Sequence, residues 1–242
     1  MKILLVNDDG YTHPHFIKTK EVLEKYADVY VSAPLTQRSG ASMSINMENK
    51  FPIEIIDDKS IAVASTPADC VSTGLFYFHD VKFDLVVSGT NDGYNASYDT
   101  LFSGTLGATL VARMSGIKAI ALSADFNEAN IEEKIDEAIS FIFKNHLMDY
   151  ADILSVNFPR PKFKKGLGFK IGHIYNEPLS DSVTFKDDMA FSNRVHIDRG
   201  VIDDSDYYYV NNGYYSITPI SATFEDKKSS SKLEDLINSL DS

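Results

Sequence analysis

Apolar residues in this chain fall into short continuous runs separated by stretches of helical spacing. Residues 2–6 form one such run, Ile3-Leu4-Leu5-Val6, the pattern of a strand buried on both faces of a parallel sheet. Over residues 16–26, Phe16, Leu23 and Tyr26 lie on one helical face, and Val29-Tyr30-Val31 follows as a second run bounded by Ala33-Pro34. This order predicts a β-α-β unit with a right-handed crossover. Residues 53–56 and 61–64 predict short strands around a turn at Asp57-Asp58. Thr66-Pro67-Ala68-Asp69 starts a helix, with Thr66 as N-cap, Pro67 at the first helical position and Asp69 as the first-turn acid.

The alternation continues. Leu85-Val86-Val87 reads as a buried strand running into Ser88-Gly89-Thr90-Asn91, and after a polar loop Ser103-Gly104-Thr105 opens a helix to about Met114. A strand is expected over 119–122. Asn130 is then expected to cap a helix carrying Ile131, Ile135, Ala138, Ile139 and Ile142, with Glu133 completing a capping box. Residues 153–156 are the last strand expected in the main sheet. Strands and helices in this order indicate an α/β, doubly wound fold with a mostly parallel sheet.

Past Pro159 the pattern changes. Residues 166–175 alternate irregularly, and 177–199 are polar with little periodicity. Residues 207–219 are tyrosine-rich and strand-like with a turn at Asn212-Gly213, and 229–240 have the spacing of a short amphipathic helix. The expected organisation is a core over residues 1–160 and an extension over 161–242 that packs on the core and on a neighbouring subunit.

Composition narrows the function classes. The chain has 242 residues with 23 basic and 35 acidic side chains, a net charge of −12. An acidic surface argues against binding nucleic acid polymers through their phosphates. An anionic substrate would then call for a cation that neutralises carboxylates and phosphate together. No apolar stretch approaches the ~18 to 20 residues that span a bilayer, and the run at 3–6 is too short for a signal peptide. The lone Cys70 agrees with a reducing compartment, so a cytoplasmic location without membrane contact is expected.

Ligands in open α/β sheets bind beyond the carboxyl ends of the strands, where three polar clusters fall. Asn7-Asp8-Asp9-Gly10 follows the first strand; adjacent carboxylates there suit an oxygen-ligated Mg²⁺ or Mn²⁺, or the same residues form a turn. Arg38-Ser39-Gly40-Ala41-Ser42 is a small-residue loop whose hydroxyls can reach a metal or a phosphate oxygen. In the third cluster Asn91 offers a neutral carbonyl, and Ser103-Gly104-Thr105 either presents amides to an anion or merely caps its helix. His13 and His15 read as solvated loop residues, Cys70 as a buried inert thiol, and the tyrosines at 207–209 and 214–215 as sheet or interface residues.

In order and spacing these segments resemble the SurE family of survival-protein nucleotidases. The matching stretches are 2–10, Ala33-Pro34, Arg38-Ser39-Gly40, Thr66-Pro67-Ala68-Asp69-Cys70-Val71, 84–91, 103–108 and 213–219. The resemblance implies a Rossmann-like core with an extended C-terminal hairpin and helix used in oligomerisation, as a homodimer or homotetramer. It also implies a 5′-nucleotidase that hydrolyses nucleoside monophosphates with one divalent ion, Mg²⁺ or Mn²⁺, per subunit. By the same resemblance the metal ligands are Asp8, Asp9, Ser39 and Asn91, while Ser39, Gly40, Asn91, Asn95, Ser103, Gly104 and Thr105 line the phosphate pocket. Asp8, Asp9 and Asn7 are the expected catalytic residues, Asn7 as an orienter of water. Two departures stand out: Ser65 where the family usually has glycine before Thr-Pro-Ala-Asp, and Pro14-His15 where a Pro-Gly pair is common. A covalent aspartyl-phosphate mechanism is disfavoured by the lack of Asp-x-Asp after the first strand, and a dinucleotide-dependent oxidoreductase by the lack of G-x-G-x-x-G. A nucleotide-binding sensor without turnover is the remaining alternative.

Overall fold

A computed structural model describes residues 1–48, 50–126, 128–175, 182–193, 202–223 and 229–233. Its frame is a nine-stranded sheet. The strands along the chain are β1 (Lys2–Val6), β2 (Asp28–Pro34), β3 (Ile53–Asp57), β4 (Ser60–Val63), β5 (Leu85–Asp92), β6 (Ala119–Ala124), β7 (Ile153–Asn157), β8 (Phe169–Ile171), and later β11 (Tyr215–Pro219). Between these last two, β9 (Ser182–Lys186) and β10 (Met189–Asn193) form a separate antiparallel hairpin. The order across the large sheet is β3-β4-β2-β1-β5-β6-β7-β11-β8. Strands β4, β2, β1, β5, β6 and β7 are parallel to one another, whereas β3 and β11 run antiparallel to β4 and β7.

The alternation of side chains in β1 makes the two cores. Ile3 and Leu5 point to one face, where they join Val29, Val31 and Val87 under helices α1 (Pro14–Leu23) and α5 (Ile131–Lys144). Leu4 and Val6 point to the other, under α2 (Pro67–Tyr77) and α4 (Gly104–Met114) through Cys70, Val71, Ala108 and Ala112. The sheet is thus sandwiched by two helix layers, which is why its central strands can be continuously apolar. The chain winds outward from β1 in one direction and from β5 in the other. The switch point therefore lies between their carboxyl ends, where ligands bind in such folds.

The local signals hold at several helix starts. Thr66 caps α2, its Oγ1 accepting from the Asp69 amide, and Ser103 caps α4 by accepting from Leu106. Others are overridden. Helix α1 begins at Pro14 and ends at Leu23, displaced toward the N-terminus from the expected 16–26. Asn130 makes no side-chain cap on α5; its own amide donates to Glu128, so the expected box with Glu133 does not form. The polar loop before α4 contains a four-residue helix, α3 (Asp99–Phe102). The first part of the stretch 207–219, read as strand-like, instead falls in α6 (Asp206–Asn211), because Ser205 caps the Tyr208 amide. The strand expected to be last, β7, is followed by β11 and β8 in the same sheet, with Tyr215 and Ile217 entering the main core. Most of residues 229–240 lie outside the described residues.

Candidate active site

Asn7, Asp8 and Asp9 leave β1 at the switch point, all three buried. Asp8 sits at the N-terminus of α4: Thr105 Oγ1 donates to its Oδ1 at 2.7 Å, and Gly104, the first residue of the helix, packs against its side chain. The Asp8 carbonyl accepts the Arg38 amide at 2.7 Å, which pins the loop after β2 to the site. Asp9 Oδ2 accepts the Asp92 amide at 3.0 Å, and Oδ1 lies 3.5 Å from Gln37 Nε2. Asn7 donates to the Gly10 carbonyl at 2.8 Å and leaves its buried Oδ1 without a partner.

Burial raises the proton affinity of both adjacent carboxylates. Burial first and Asp9 second push the Asp8 carboxyl up to about 7, against a counter-pull from Thr105. Burial likewise raises Asp9, with the Asp92 amide and His13 pulling it back. Among the described residues no Lys or Arg forms an ion pair with either group. Nor do three or more His, Cys, Asp or Glu side chains group to hold a metal. A donor set of two carboxylates completed by neutral oxygens fits a hard divalent cation, and the unpartnered Asn7 oxygen adds a polar atom beside it.

The other expected residues are distributed around this pair. Asn91, at the end of β5, donates its side-chain amide to Gly93 O at 2.7 Å, which fixes the orientation of its head group. Ser39 and Gly40 lie in an exposed loop directly after the pinned Arg38. Ser103 uses its hydroxyl on the Leu106 amide, and Thr105 directs its own at Asp8. Asn95 is buried: its Nδ2 donates to Ser123 Oγ at 2.8 Å, and its backbone makes two 3.0 Å hydrogen bonds with the Asn157 side chain. This interlock ties the loop after β5 to β6 and β7. The C-terminal extension holds the same loop, since Asp206 of α6 accepts from the Ser97 amide at 2.8 Å and from its hydroxyl at 3.1 Å.

Two departures are accommodated locally. Ser65 is buried and donates to the Asp69 carboxylate, so the hydroxyl is satisfied inside the α2 cap. His13 and His15, read as solvated, instead converge on Asp92. His13 Nε2 is 3.6 Å and His15 Nδ1 3.8 Å from its carboxylate, and their rings meet edge to face at 5.4 Å. His15 is buried, which lowers its proton affinity. Sequence reasoning missed this group because Asp92 reaches the histidines only across the β1–β5 interface. Cys70 is a buried thiol with its pKa raised by burial, as expected.

Comparison with known proteins places the chain among relatives of one family. A family model described as survival protein SurE matches residues 3–181. A protein of Petrotoga mobilis named 5′-nucleotidase SurE is 34% identical over 91% of this chain and 93% of its own length. Its namesake in Mannheimia succiniciproducens is 34% identical over 99% of this chain and 100% of its own. A relative in Wigglesworthia glossinidia brevipalpis, 32% identical over 94% of both chains, is named 5′/3′-nucleotidase SurE. The crystal structure of the SurE protein from Aquifex aeolicus superposes with a TM-score of 0.84 at 30% identity, covering 98% of this chain and 99% of that one.

Proposed function

The chain belongs to the SurE family, and on that premise we propose that it is a divalent-metal-dependent 5′-nucleotidase releasing phosphate from nucleoside monophosphates. The observation that carries this reading is the buried Asp8–Asp9 pair at the sheet's switch point, set against the N-terminus of α4.

The proposed ligands of one Mg²⁺ or Mn²⁺ per subunit are Asp8, Asp9, Ser39 and Asn91, an all-oxygen set. When bound, the cation supplies Lewis-acid activation of the phosphate ester and offsets the two carboxylates. The chain's own residues do the rest. Thr105 aims the Asp8 carboxylate, and Asp92 does the same for Asp9 through its amide. The first-turn amides and dipole of α4 favour the phosphate's negative charge. Because the Ser103 hydroxyl caps Leu106, the backbone rather than that side chain makes this contribution. Asn7 orients water through its free oxygen. Gly40 gives the Ser39 loop its turn, and Asn95 holds the far wall through Ser123 and Asn157.

Residues 161–242 are proposed as the extension that builds a homodimer or homotetramer. The β9–β10 hairpin exposes Val183 and Phe185 on one face and Met189 and Phe191 on the other, so either side offers apolar contact for it. No helix among the described residues is long and apolar enough to cross a membrane. The free buried Cys70 fits a cytoplasmic setting.

The test is phosphate release from a panel of nucleoside monophosphates with Mg²⁺ or Mn²⁺ and again with excess chelator. Release that the chelator abolishes is expected. Folded protein that releases no phosphate with either metal, yet is stabilised by nucleotide, would make the site a sensor instead.

A further inference from the structure

Building on the nucleotidase reading, we propose that Phe126 is the platform on which the substrate's base stacks, making it the residue that separates nucleotides from baseless phosphate esters. The residue is 61% exposed, an unusual state for phenylalanine. Phe126 follows β6, which pairs with β5 through Asn91↔Ser123 and Asp92↔Ala124, and its ring lies over Gly93, two residues beyond the proposed ligand Asn91.

The contact is specific. Gly93 donates its amide to Ala124 O at 2.9 Å and accepts the Asn91 side chain at 2.7 Å. Its φ of +132° and bare Cα leave room for the ring: a Cβ there would come within 3.1 Å of Phe126 Cζ. The ring thus rests on the same residue that orients Asn91. Both flanks are clamped. Asp125 pairs with Arg160 at 2.6 Å, and Glu128 pairs with the buried Lys134 at 2.7 Å. A ring resting on Gly93 next to the anchored Asp125 gives up little freedom when a flat partner covers it. Tyr94, the next ring along, does not compete, because the Arg160 guanidinium already lies 4.8 Å from its centre. Every nucleobase has a π-face, so such a platform favours nucleotides as a class with little choice among bases.

The chain has no tryptophan, which makes the test direct. F126W places a sole indole at the platform, and its fluorescence is read with Mg²⁺ or Mn²⁺ present on rapid mixing, before appreciable turnover. Saturable quenching by a nucleoside monophosphate, with none by ribose 5-phosphate, is expected. In parallel, F126A should lower kcat/KM for nucleoside monophosphates on the order of tenfold, mainly through KM. It should leave ribose 5-phosphate hydrolysis unchanged. Equal loss on both substrates, no loss on either, or absence of quenching would each overturn the assignment. If the wild type releases no phosphate from any substrate, the nucleotidase reading fails, while nucleotide quenching of F126W would still support the base site.

Discussion

Replacing Asp8 by asparagine should make the metal-free protein more stable at alkaline pH while destroying its activity. The folded state holds the Asp8 carboxyl near pKa 7 against an ordinary 3.8, chiefly through burial and then through Asp9. A carboxyl raised in this way binds its proton more tightly folded than unfolded. Its contribution is fully present below about pH 4 and is lost as pH rises through 7. At 1.36 kcal/mol per decade of proton affinity, the loss approaches roughly 4 kcal/mol by pH 8. Water entering the site takes back part of it, leaving roughly 2–4 kcal/mol. The substituted side chain cannot ionise, and its amide oxygen can still accept from Thr105. In excess chelator at pH 8, D8N should therefore melt roughly 5–15 °C above wild type, an advantage that vanishes near pH 4. Saturating Mg²⁺ or Mn²⁺ should reverse the order, because only the wild type gains binding energy. Thermal melts at the two pH values, with and without metal, measure all of this. An equal Tm difference at pH 4 and pH 8, or none at either, would refute the argument that burial, reinforced by Asp9, raises the proton affinity of Asp8.

Two further outcomes follow from the same geometry. Thr105→Val removes the hydroxyl on Asp8 Oδ1 at nearly constant volume and should lower metal affinity or kcat/KM by roughly 10- to 100-fold, seen in metal titrations against activity. Lys134→Ala leaves the fully buried Glu128 carboxylate unpaired and frees the Pro159 carbonyl; denaturant unfolding should show a loss of roughly 3–5 kcal/mol.

Much of the core was legible because its signals are local. The runs at 3–6 and 85–87 declare buried strands, and Thr66 and Ser103 declare caps that need only three residues to form. The carboxylates at 8 and 9 were legible for the same reason: a strand end and two adjacent charges are visible in one dimension. What failed depends on partners far along the chain. Asn130 loses its cap because Glu128, itself fixed by Lys134, captures its amide first. The tyrosines at 207–209 look like strand residues by propensity, yet Ser205 and the docking of Asp206 on Ser97 set them in a helix. His13 and His15 look solvated until Asp92, on a neighbouring strand, draws them inward. Thr105 could be read as a phosphate contact or a helix residue, and only the fold shows its hydroxyl serving Asp8.

The insertion of β11 between β7 and β8 also bears on how the protein is made. During synthesis β7 emerges with one edge unpaired, and the strand that covers it comes only after residues 158–214. At roughly 5–20 residues per second that interval is on the order of 3–11 s, long compared with the closing of a β-hairpin. Through it the nascent sheet carries an open, apolar edge beside Ile153, Leu154 and Val156, the kind of edge that recruits other chains. Ribosome pausing or chaperone binding in this window would therefore bear on how much of the chain reaches the folded state.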